Sequence, residues 1–211
     1  SVDQIYNKTK SDRWFLNKYL NLVKMERRLA SEPLTDELYL AAKKMGYLDK
    51  TIESFSKDKI KNKRYASYKM VDTCAAEFAA ETPYFYSTYD EYAHDEATPF
   101  IKESTKKRII VIGSGPIRIG QGIEFAYSSV HCVWTLKAMG YDVAIINNNP
   151  ETVSTDFDTA DRLYFEPLTE EDVLNVVEVE KPVGVVVAFG GQTAIKLTQA
   201  LCAHGIPSLG T

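Results

Sequence analysis

The second half of the chain alternates short β-branched runs with helical stretches, and this alternation constrains the fold more than any other feature of the sequence. Residues 108–112 (RIIVI) are almost entirely β-branched, which is typical of a strand buried on both faces of a parallel sheet. Glycines follow this run, a helical stretch extends over 124–139, and residues 141–146 (YDVAII) have the composition of a second strand. A strand, a helix and a strand in this order predict a βαβ unit.

The alternation continues towards the last residue of the chain. Three more short runs have the apolar composition of strands, at 162–165, 184–189 and 206–209. Helices are predicted between them, from the capping residue Thr169 to about Glu180 and over 193–204. Together these elements predict an open, doubly wound parallel sheet of the Rossmann-like kind over residues 105–211.

The first half has the pattern of helices. Over residues 12–29, apolar side chains recur at helical spacing and basic side chains fill other positions, which predicts an amphipathic helix. The apolar members of this pattern are Trp14, Phe15, Tyr19, Leu22, Val23 and Met25. Thr35 is placed to cap a second helix that Gly46 would end. Two more helices are predicted over 49–55 and 57–66, the second with its basic side chains on a solvated face.

A change in composition separates the two halves. Residues 82–89 (TPYFYSTY) combine a proline with aromatic and hydroxyl residues, which predicts an extended segment lying across a surface. Residues 90–107 are largely polar and have the composition of a linker. We place the boundary near Ser104, so a helical domain is predicted over 1–104 and an α/β domain over 105–211.

Composition and charge argue against several classes of function. The chain has 25 basic and 29 acidic residues. The basic residues are not clustered into a large basic face of the kind that binds nucleic acid. No apolar run approaches the ~20 residues that a membrane span requires. The cysteines are scattered, which argues against a disulfide framework and a metal site and predicts a reducing, cytoplasmic location; they are Cys74, Cys132 and Cys202. Because the chain begins at Ser1 without a methionine or a signal region, we interpret it as an internal piece of a longer protein.

Ligands of doubly wound sheets bind at the carboxyl ends of the strands. The loops to consider follow predicted strands, at 113–122, 147–155 and 190–193. The first loop begins a dinucleotide pattern at Gly113 and Gly115, but Arg118 stands at its third glycine position and the second strand ends in asparagines instead of an acid. It also has the two glycines of a phosphate loop, Gly115 and Gly120, but glutamine and glycine follow where Lys and Ser or Thr are required. Both nucleotide interpretations therefore fail on these residues.

Other roles remain open for these loops. Arg118 is suited either to pairing with Glu124 or to binding an anion or lining a passage, because Arg is the preferred partner of carboxylate and phosphate oxygens. The asparagine run either completes the hydrogen bonds of a turn or belongs to a binding edge. Residues 190–193 would present a helix amino end to an anion or to a neighbouring domain. The candidates in these strand-end loops are Asn147, Asn149, Glu151, Thr152, Gly190, Gly191 and Gln192.

Four segments closely resemble the large subunit of carbamoyl-phosphate synthase. They are 69–89 (KMVDTCAAEFAAETPYFYSTY), 113–125 (GSGPIRIGQGIEF), 147–167 (NNNPETVSTDFDTADRLYFEP) and 189–194 (FGGQTA). In that family, two homologous ATP-grasp halves act in turn on bicarbonate and on carbamate, with a helical domain between them. The chain resembles that helical oligomerisation domain followed by the pre-ATP-grasp opening of the second half.

The resemblance implies that the parent protein is a ligase that makes carbamoyl phosphate from bicarbonate, glutamine-derived ammonia and two ATP, for arginine and pyrimidine biosynthesis. ATP and Mg or Mn, with K, would bind after Thr211, so no catalytic residue or cofactor is expected within the chain. The implied partners are the remaining domains of the parent, a glutaminase small subunit or domain, and further copies in a homo-oligomer. Neither nucleic acid nor a membrane is expected as a partner.

The resemblance also suggests a place for the first glycine loop, at the carbamate passage or at a contact between domains. The residues concerned are Arg118, Gly120, Gly122 and Glu124. The family usually has Asp after the Glu-Phe pair, whereas Ala126 stands here, which weakens a role of this loop in handling carbamate.

Two alternatives remain for the chain. One is a self-contained nucleotide-binding module, against which the missing acid and lysine count. The other is a pure assembly domain, which would associate through apolar side chains such as Trp14, Phe15 and Tyr19.

Overall fold

The computed structural model of the protein describes residues 1–90, 94–116 and 123–210. The chain folds into two compact units, Ser1–Tyr65 and Ala66–Thr211. The first is helical, and the described part of the second is built on one mostly parallel sheet with helices. The predicted fold class, a helical region followed by an open, doubly wound sheet, is confirmed.

Residues 1–65, all of them described, form four helices. These are α1 (Val2–Thr9), α2 (Arg13–Ser31), α3 (Asp36–Lys44) and α4 (Asp49–Ser56). The Thr35 hydroxyl accepts the Leu38 amide proton at 3.2 Å and Gly46 has a φ of +86°, so the predicted cap and end of α3 are confirmed. The core of the unit consists of Met25, Leu29, Leu38, Tyr39, Ala42 and Ile52.

Helix α2 confirms the predicted helix over 12–29, but it buries a different face from the one expected. Its buried side chains are Leu16, Met25 and Leu29, so Met25 alone among the six predicted apolar residues lies in the core. The aromatic members of the pattern are 58 to 66% exposed, and they are Trp14, Phe15 and Tyr19. Apolar residues occupy more than one face of this helix, and contacts with α3 and α4 decide which face is buried.

The helix predicted over 57–66 is wrong. Helix α4 ends at Ser56, its C-cap residue Lys57 has a left-handed φ of 59°, and the following residues take no regular structure. Two of their amides donate to side chains of α3 and α4. The Ile60 amide donates to Glu53 Oε1 at 3.1 Å, and the Arg64 amide donates to the Tyr39 hydroxyl at 3.2 Å. These bonds replace the hydrogen bonds of a helix.

The described part of the second unit contains seven strands and five α-helices. The strands are β1 (Ser67–Met70), β2 (Tyr84–Thr88), β3 (Arg108–Ile112), β4 (Asp142–Asn147), β5 (Arg162–Phe165), β6 (Gly184–Val186) and β7 (Ser208–Leu209). The helices are α5 (Ala97–Glu103), α6 (Glu124–Ala138), α7 (Glu170–Glu180), α8 (Gly191–Ile195) and α9 (Thr198–Ala203), with a 3-10 turn at Val153–Thr155. The helix predicted over 193–204 is therefore two short helices.

The sheet has the order β1-β2-β5-β4-β3-β6-β7, and all neighbours are parallel except the antiparallel pair β1 and β2. From β3 the chain proceeds through β4 to β5 on one side and then crosses to β6 and β7 on the other. Helices cover both faces, since Ile110 and Ile112 pack in one core cluster and Ile109 and Val111 in the other.

The predicted boundary near Ser104 falls inside the second unit. Strands β1 and β2 precede it, yet β2 pairs with β5, with Tyr84 beside Leu163. The extended segment predicted over 82–89 is thus a strand of the sheet, and its Phe85 side chain is fully buried. This pairing joins residues about 80 positions apart, so no local pattern indicates it.

Candidate functional site

The candidate site lies at the carboxyl ends of β3, β4 and β6. Strands β3 and β6 are neighbours, and the chain leaves them towards opposite sides of the sheet, so the switch point of the fold lies between them. The described loops that meet there are 113–116, 147–155 and 187–193. Glu151 is the single charged residue in these three segments.

Gly190 brings the loop after β6 against the end of β3. A Cβ atom at this position would lie 2.6 Å from the Ile112 carbonyl oxygen, 2.7 Å from that of Gly113 and 2.3 Å from the Ala194 Cβ. Two of these neighbours are backbone atoms that cannot turn away, so any side chain here would force the loop off the strand. The predicted candidate Gly190 therefore has a close-packing role at the switch point.

Asn147 holds the loop after β3. Its side chain is fully buried, and its Oδ1 accepts the amide protons of Gly115 at 3.1 Å and Asn149 at 3.3 Å. Its Nδ2 donates to the Ser154 hydroxyl at 3.4 Å. Gly115 has a φ of +70°, a conformation that favours glycine. Both ends of the Asn147 amide thus bond within the protein, which is the turn-completing role considered for the asparagines.

The remainder of the polar loop is also tied by its own hydrogen bonds. Asn149 Oδ1 accepts the Glu151 amide proton at 3.1 Å, and the Thr155 hydroxyl donates to the Thr152 carbonyl at 2.7 Å. The Tyr84 hydroxyl of β2 donates to the Thr155 carbonyl at 2.7 Å. Glu151 is exposed and Thr152 half-buried. The structure thus brings Asn147 and Asn149 together and leaves the Glu151 side chain at the surface.

The first glycine loop is described only in part. Three of its candidates, Arg118, Gly120 and Gly122, lie outside the described residues. Glu124 is the exposed first residue of α6. Ala126, where an Asp was expected from the resemblance, is 7% exposed on the inner face of α6, so a carboxylate here would need a buried partner.

On the third loop, Gly191 and Gln192 begin α8. This helix has five residues and therefore offers a weaker amino end than a longer helix would. Gly191 is buried and Gln192 is exposed.

Glu166, directly after β5, is a buried acid that sequence reasoning did not single out. Its carboxylate accepts the Ser87 amide proton and, at 2.9 Å, the Ser87 hydroxyl proton. Burial raises the pKa of Glu166 to about 7, against the lowering effect of the Ser87 hydrogen bonds. The signal that could have found it is a charged residue at the end of an apolar strand, although its partner on β2 is distant in sequence.

Apart from the exposed Glu151 carboxylate, the described edge presents backbone, amide and hydroxyl groups. Among residues 1–90, 94–116 and 123–210, no group of three or more His, Cys, Asp or Glu is placed to hold a metal ion. In the same part of the chain, no helix has the length and apolar character needed to cross a bilayer. All three cysteines are free.

The fold and this edge define an α/β domain of the doubly wound class, joined to a helical unit. Comparison with protein families assigns the chain further: it belongs to the carbamoyl phosphate synthase family. The model of the carbamoyl phosphate synthase preATP-grasp domain matches residues 105–211, and that of the carbamoyl-phosphate synthetase large chain oligomerisation domain matches residues 1–71. The resemblance noted in the sequence is thereby confirmed.

Curated relatives agree with this assignment. The chain is 55% identical to the carbamoyl phosphate synthase large chain of Lachnoclostridium phytofermentans over 99% of its own length, and 56% identical to that of Thermoanaerobacter sp. (strain X514) over 100%. It is 53% identical to the large chain of Agathobacter rectalis over 99%. In each case it spans about a fifth, 20%, of the relative's length.

Proposed function

We propose that the chain works as part of a carbamoyl phosphate synthase large chain, which makes carbamoyl phosphate from bicarbonate, glutamine-derived ammonia and ATP. Two family models that match in consecutive order and relatives 53 to 56% identical over almost all of the chain support this proposal. ATP, Mg or Mn, and K would be held by other parts of such a large chain. A glutaminase subunit or domain would supply the ammonia.

Within that enzyme, the carboxyl edge of the sheet would serve as a scaffold beside the route of carbamate. The observation that carries this role is the close approach of Gly190 to the Ile112 and Gly113 carbonyls, which seals the switch point with backbone atoms. Carbamate decomposes when it is protonated, and a wall of backbone and amide groups does not offer it an acidic proton. The glycines at 120 and 122 continue this composition in the first loop.

The test is to add a bulky side chain to the first glycine loop of a whole large chain, which would narrow the proposed carbamate passage. We expect Gly120→Val to lower carbamoyl phosphate formation by at least about tenfold while bicarbonate-dependent ATP hydrolysis continues, because the intermediate is made but not delivered. Both rates are measured on one preparation. Ala203→Val, which introduces the same side chain at an exposed position of α9, is the control. An equal fall in both rates, or no fall in either, would remove the passage role.

A second candidate function, assembly through the helical unit, is favoured by the exposed aromatic side chains of α2. Trp14 is 60%, Phe15 58% and Tyr19 66% exposed. Large aromatic side chains are enriched in protein interfaces. Scaffold and assembly roles are compatible, because they use different units of the chain.

A further inference from the structure

Helix α6 differs from the other long helices of the chain in its lack of charge. Between Glu124 and Lys137, the residues 125–136 (FAYSSVHCVWTL) include no Asp, Glu, Lys or Arg. Helix α2, by comparison, carries six charged residues among its 19. A solvent-facing helix normally places charged side chains on its outer face.

The inner face of α6 packs on the sheet in the expected way. Its buried residues are Ala126, Ser129, Val130 and Val133. Val133 joins the core cluster that contains Ile109, Val111 and Ile145. The sheet therefore accounts for one side of the helix.

The outer face carries a continuous line of large side chains, which we call the α6 stripe: Ile123, Tyr127, His131 and Trp134. Their spacing of four, four and three residues places them on one side of the helix. Ile123 is 68%, Tyr127 61% and Trp134 52% exposed, and His131 is exposed as well. Neighbouring rings are in contact: the Tyr127 and His131 centroids are 4.2 Å apart in a tilted pair, and those of His131 and Trp134 are 5.3 Å apart in an edge-on pair.

A further exposed aromatic side chain lies on the loop before β5. Lys137 donates to the Thr159 carbonyl at 3.4 Å and pairs with Asp161 at 3.3 Å, so this loop lies against α6. In the same loop Phe157 is 71% exposed. A row of exposed apolar side chains like the α6 stripe marks a contact site, and aromatic residues with few charges are typical of the centre of an interface.

Two observations identify the occupant. The curated relatives contain this region as 20% of a longer chain, so about four fifths of such a protein is available to cover it. The family description assigns oligomerisation to residues 1–71, whereas α6 lies in the part matched by the preATP-grasp domain. A contact within the large chain is therefore favoured over a contact with a second copy.

We propose that the α6 stripe is an intrachain docking surface, covered by another domain of the same large chain through an apolar face with acceptors for the Trp134 indole N–H. This inference rests on the proposed function, because it requires that the chain works within such a large chain. In this position α6 lies between the sheet on its inner side and the docked domain on its outer side. A helix without charged side chains on either side is what such a position requires.

The experiment is hydroxyl-radical footprinting, read by mass spectrometry, of the 211-residue chain and of a whole large chain that contains it. We expect Tyr127 and Trp134 to be oxidised at least about tenfold more slowly in the large chain, because a docked domain excludes the reagent. In the large chain, Trp134→Lys is expected to restore rapid oxidation of Tyr127. Trp14→Lys, the same change at the other tryptophan, is the matched control and should leave the protection of Tyr127 unchanged.

Each outcome is decisive. Equal oxidation in the two proteins would overturn the proposal, and so would protection that disappears on dilution, which would identify a second copy as the occupant. Carbamoyl phosphate synthesis is measured on the same large chain. Synthesis without protection rejects the docking surface alone, whereas protection without synthesis retains the place of the chain within a large chain and its docking surface, and rejects only the proposed synthesis of carbamoyl phosphate.

Discussion

At the scale of single residues, Glu166 shows how burial changes the chemistry of one side chain. It is 2% exposed and bonds to Ser87 of β2, so a carboxylate is held where water cannot solvate its charge. Burial raises its pKa from 4.5 to about 7. The group is therefore partly protonated near neutral pH in the folded protein, although it would be ionised in the unfolded chain.

The sign of the resulting pH dependence follows from proton binding. Between pH 4.5 and about 7 the folded state binds more protons at Glu166 than the unfolded state, so its contribution to stability is complete below 4.5 and is lost by about 7. We expect the free energy of unfolding to fall across this window by about 3 kcal/mol relative to Glu166→Gln, which cannot titrate. Urea unfolding at several pH values measures the difference between the two proteins.

Gln is suited to this comparison because its amide oxygen can accept the Ser87 amide proton. Glu103→Gln, at an exposed position of α5, is the matched control and should show the pH profile of the original protein. If Glu166→Gln kept the original profile, the shifted titration of Glu166 would be ruled out.

At the scale of elements, a charged network closes the amino ends of the strands, opposite the candidate site. The Arg162 guanidinium, at the start of β5, donates to Glu180 Oε1 at 2.7 Å and Oε2 at 3.0 Å. It also donates to Asp142 Oδ2, at the start of β4, at 3.2 Å. Burial opposes its charge, but the two carboxylates raise the pKa of Arg162 above its ordinary value. The network joins the end of α7 to strands β4 and β5.

Removal of one charged member of this network is expected to lower the free energy of unfolding strongly. Glu180 is fully buried, and it also accepts the Tyr164 hydroxyl proton at 2.6 Å. Glu180→Gln would leave the buried Arg162 with one carboxylate, at a cost of about 3 to 5 kcal/mol in the free energy of unfolding. Urea unfolding at pH 7 measures this cost. Glu178→Gln, on the exposed side of the same helix, provides the comparison, and equal effects of the two changes would contradict the assigned role of the network.

At the scale of the whole molecule, the exposed aromatic face of α2 predicts association of the chain. The rings of Trp14 and Phe15 are in edge contact at 4.9 Å, and Lys18 lies 4.9 Å from the centre of the Trp14 ring. Such a face combines aromatic area with nearby charge, which suits a contact between copies. Sedimentation equilibrium of the 211-residue chain is expected to show a reversible oligomer.

Two substitutions distinguish the aromatic face of α2 from the α6 stripe as the surface through which copies associate. We expect Tyr19→Glu to weaken association by about 30-fold, which is the effect of losing an anchor worth about 2 kcal/mol. Trp134→Lys should leave association unchanged, since the α6 stripe is assigned to contacts within a large chain. A monomer at every concentration, or an oligomer that responds to Trp134→Lys instead, would reject assembly through α2.

Much of the fold could be predicted because its elements are encoded locally. The buried strands β3 and β4 are recognisable from their β-branched runs, and α7 from its capping residue Thr169, whose hydroxyl accepts the Asp172 amide proton at 3.2 Å. The same reasoning predicted a helix over 57–66, where bonds to Glu53 and the Tyr39 hydroxyl prevail. It also missed α1 and the strand β1.

In the candidate site, too, features encoded by neighbouring residues were predicted and contacts between distant residues were not. Its loops were predicted because each follows a strand, and the carboxyl ends of parallel strands meet at one edge. The role of Asn147 was left open between turn and ligand, because the atoms that satisfy its amide belong to Gly115, Asn149 and Ser154. Glu166 was missed for a similar reason, since its partner Ser87 lies 79 residues away.

The sequence by itself determined the helical and α/β character of the two regions and, through its motifs, the family, because periodicity and glycine-rich loops are properties of neighbouring residues. Tertiary structure alone decided that β1 and β2 join the sheet, which face of α2 is buried, and which buried acids acquire partners. These outcomes depend on contacts between residues far apart in the chain. Such contacts form only when the whole fold offsets the entropy of bringing the residues together.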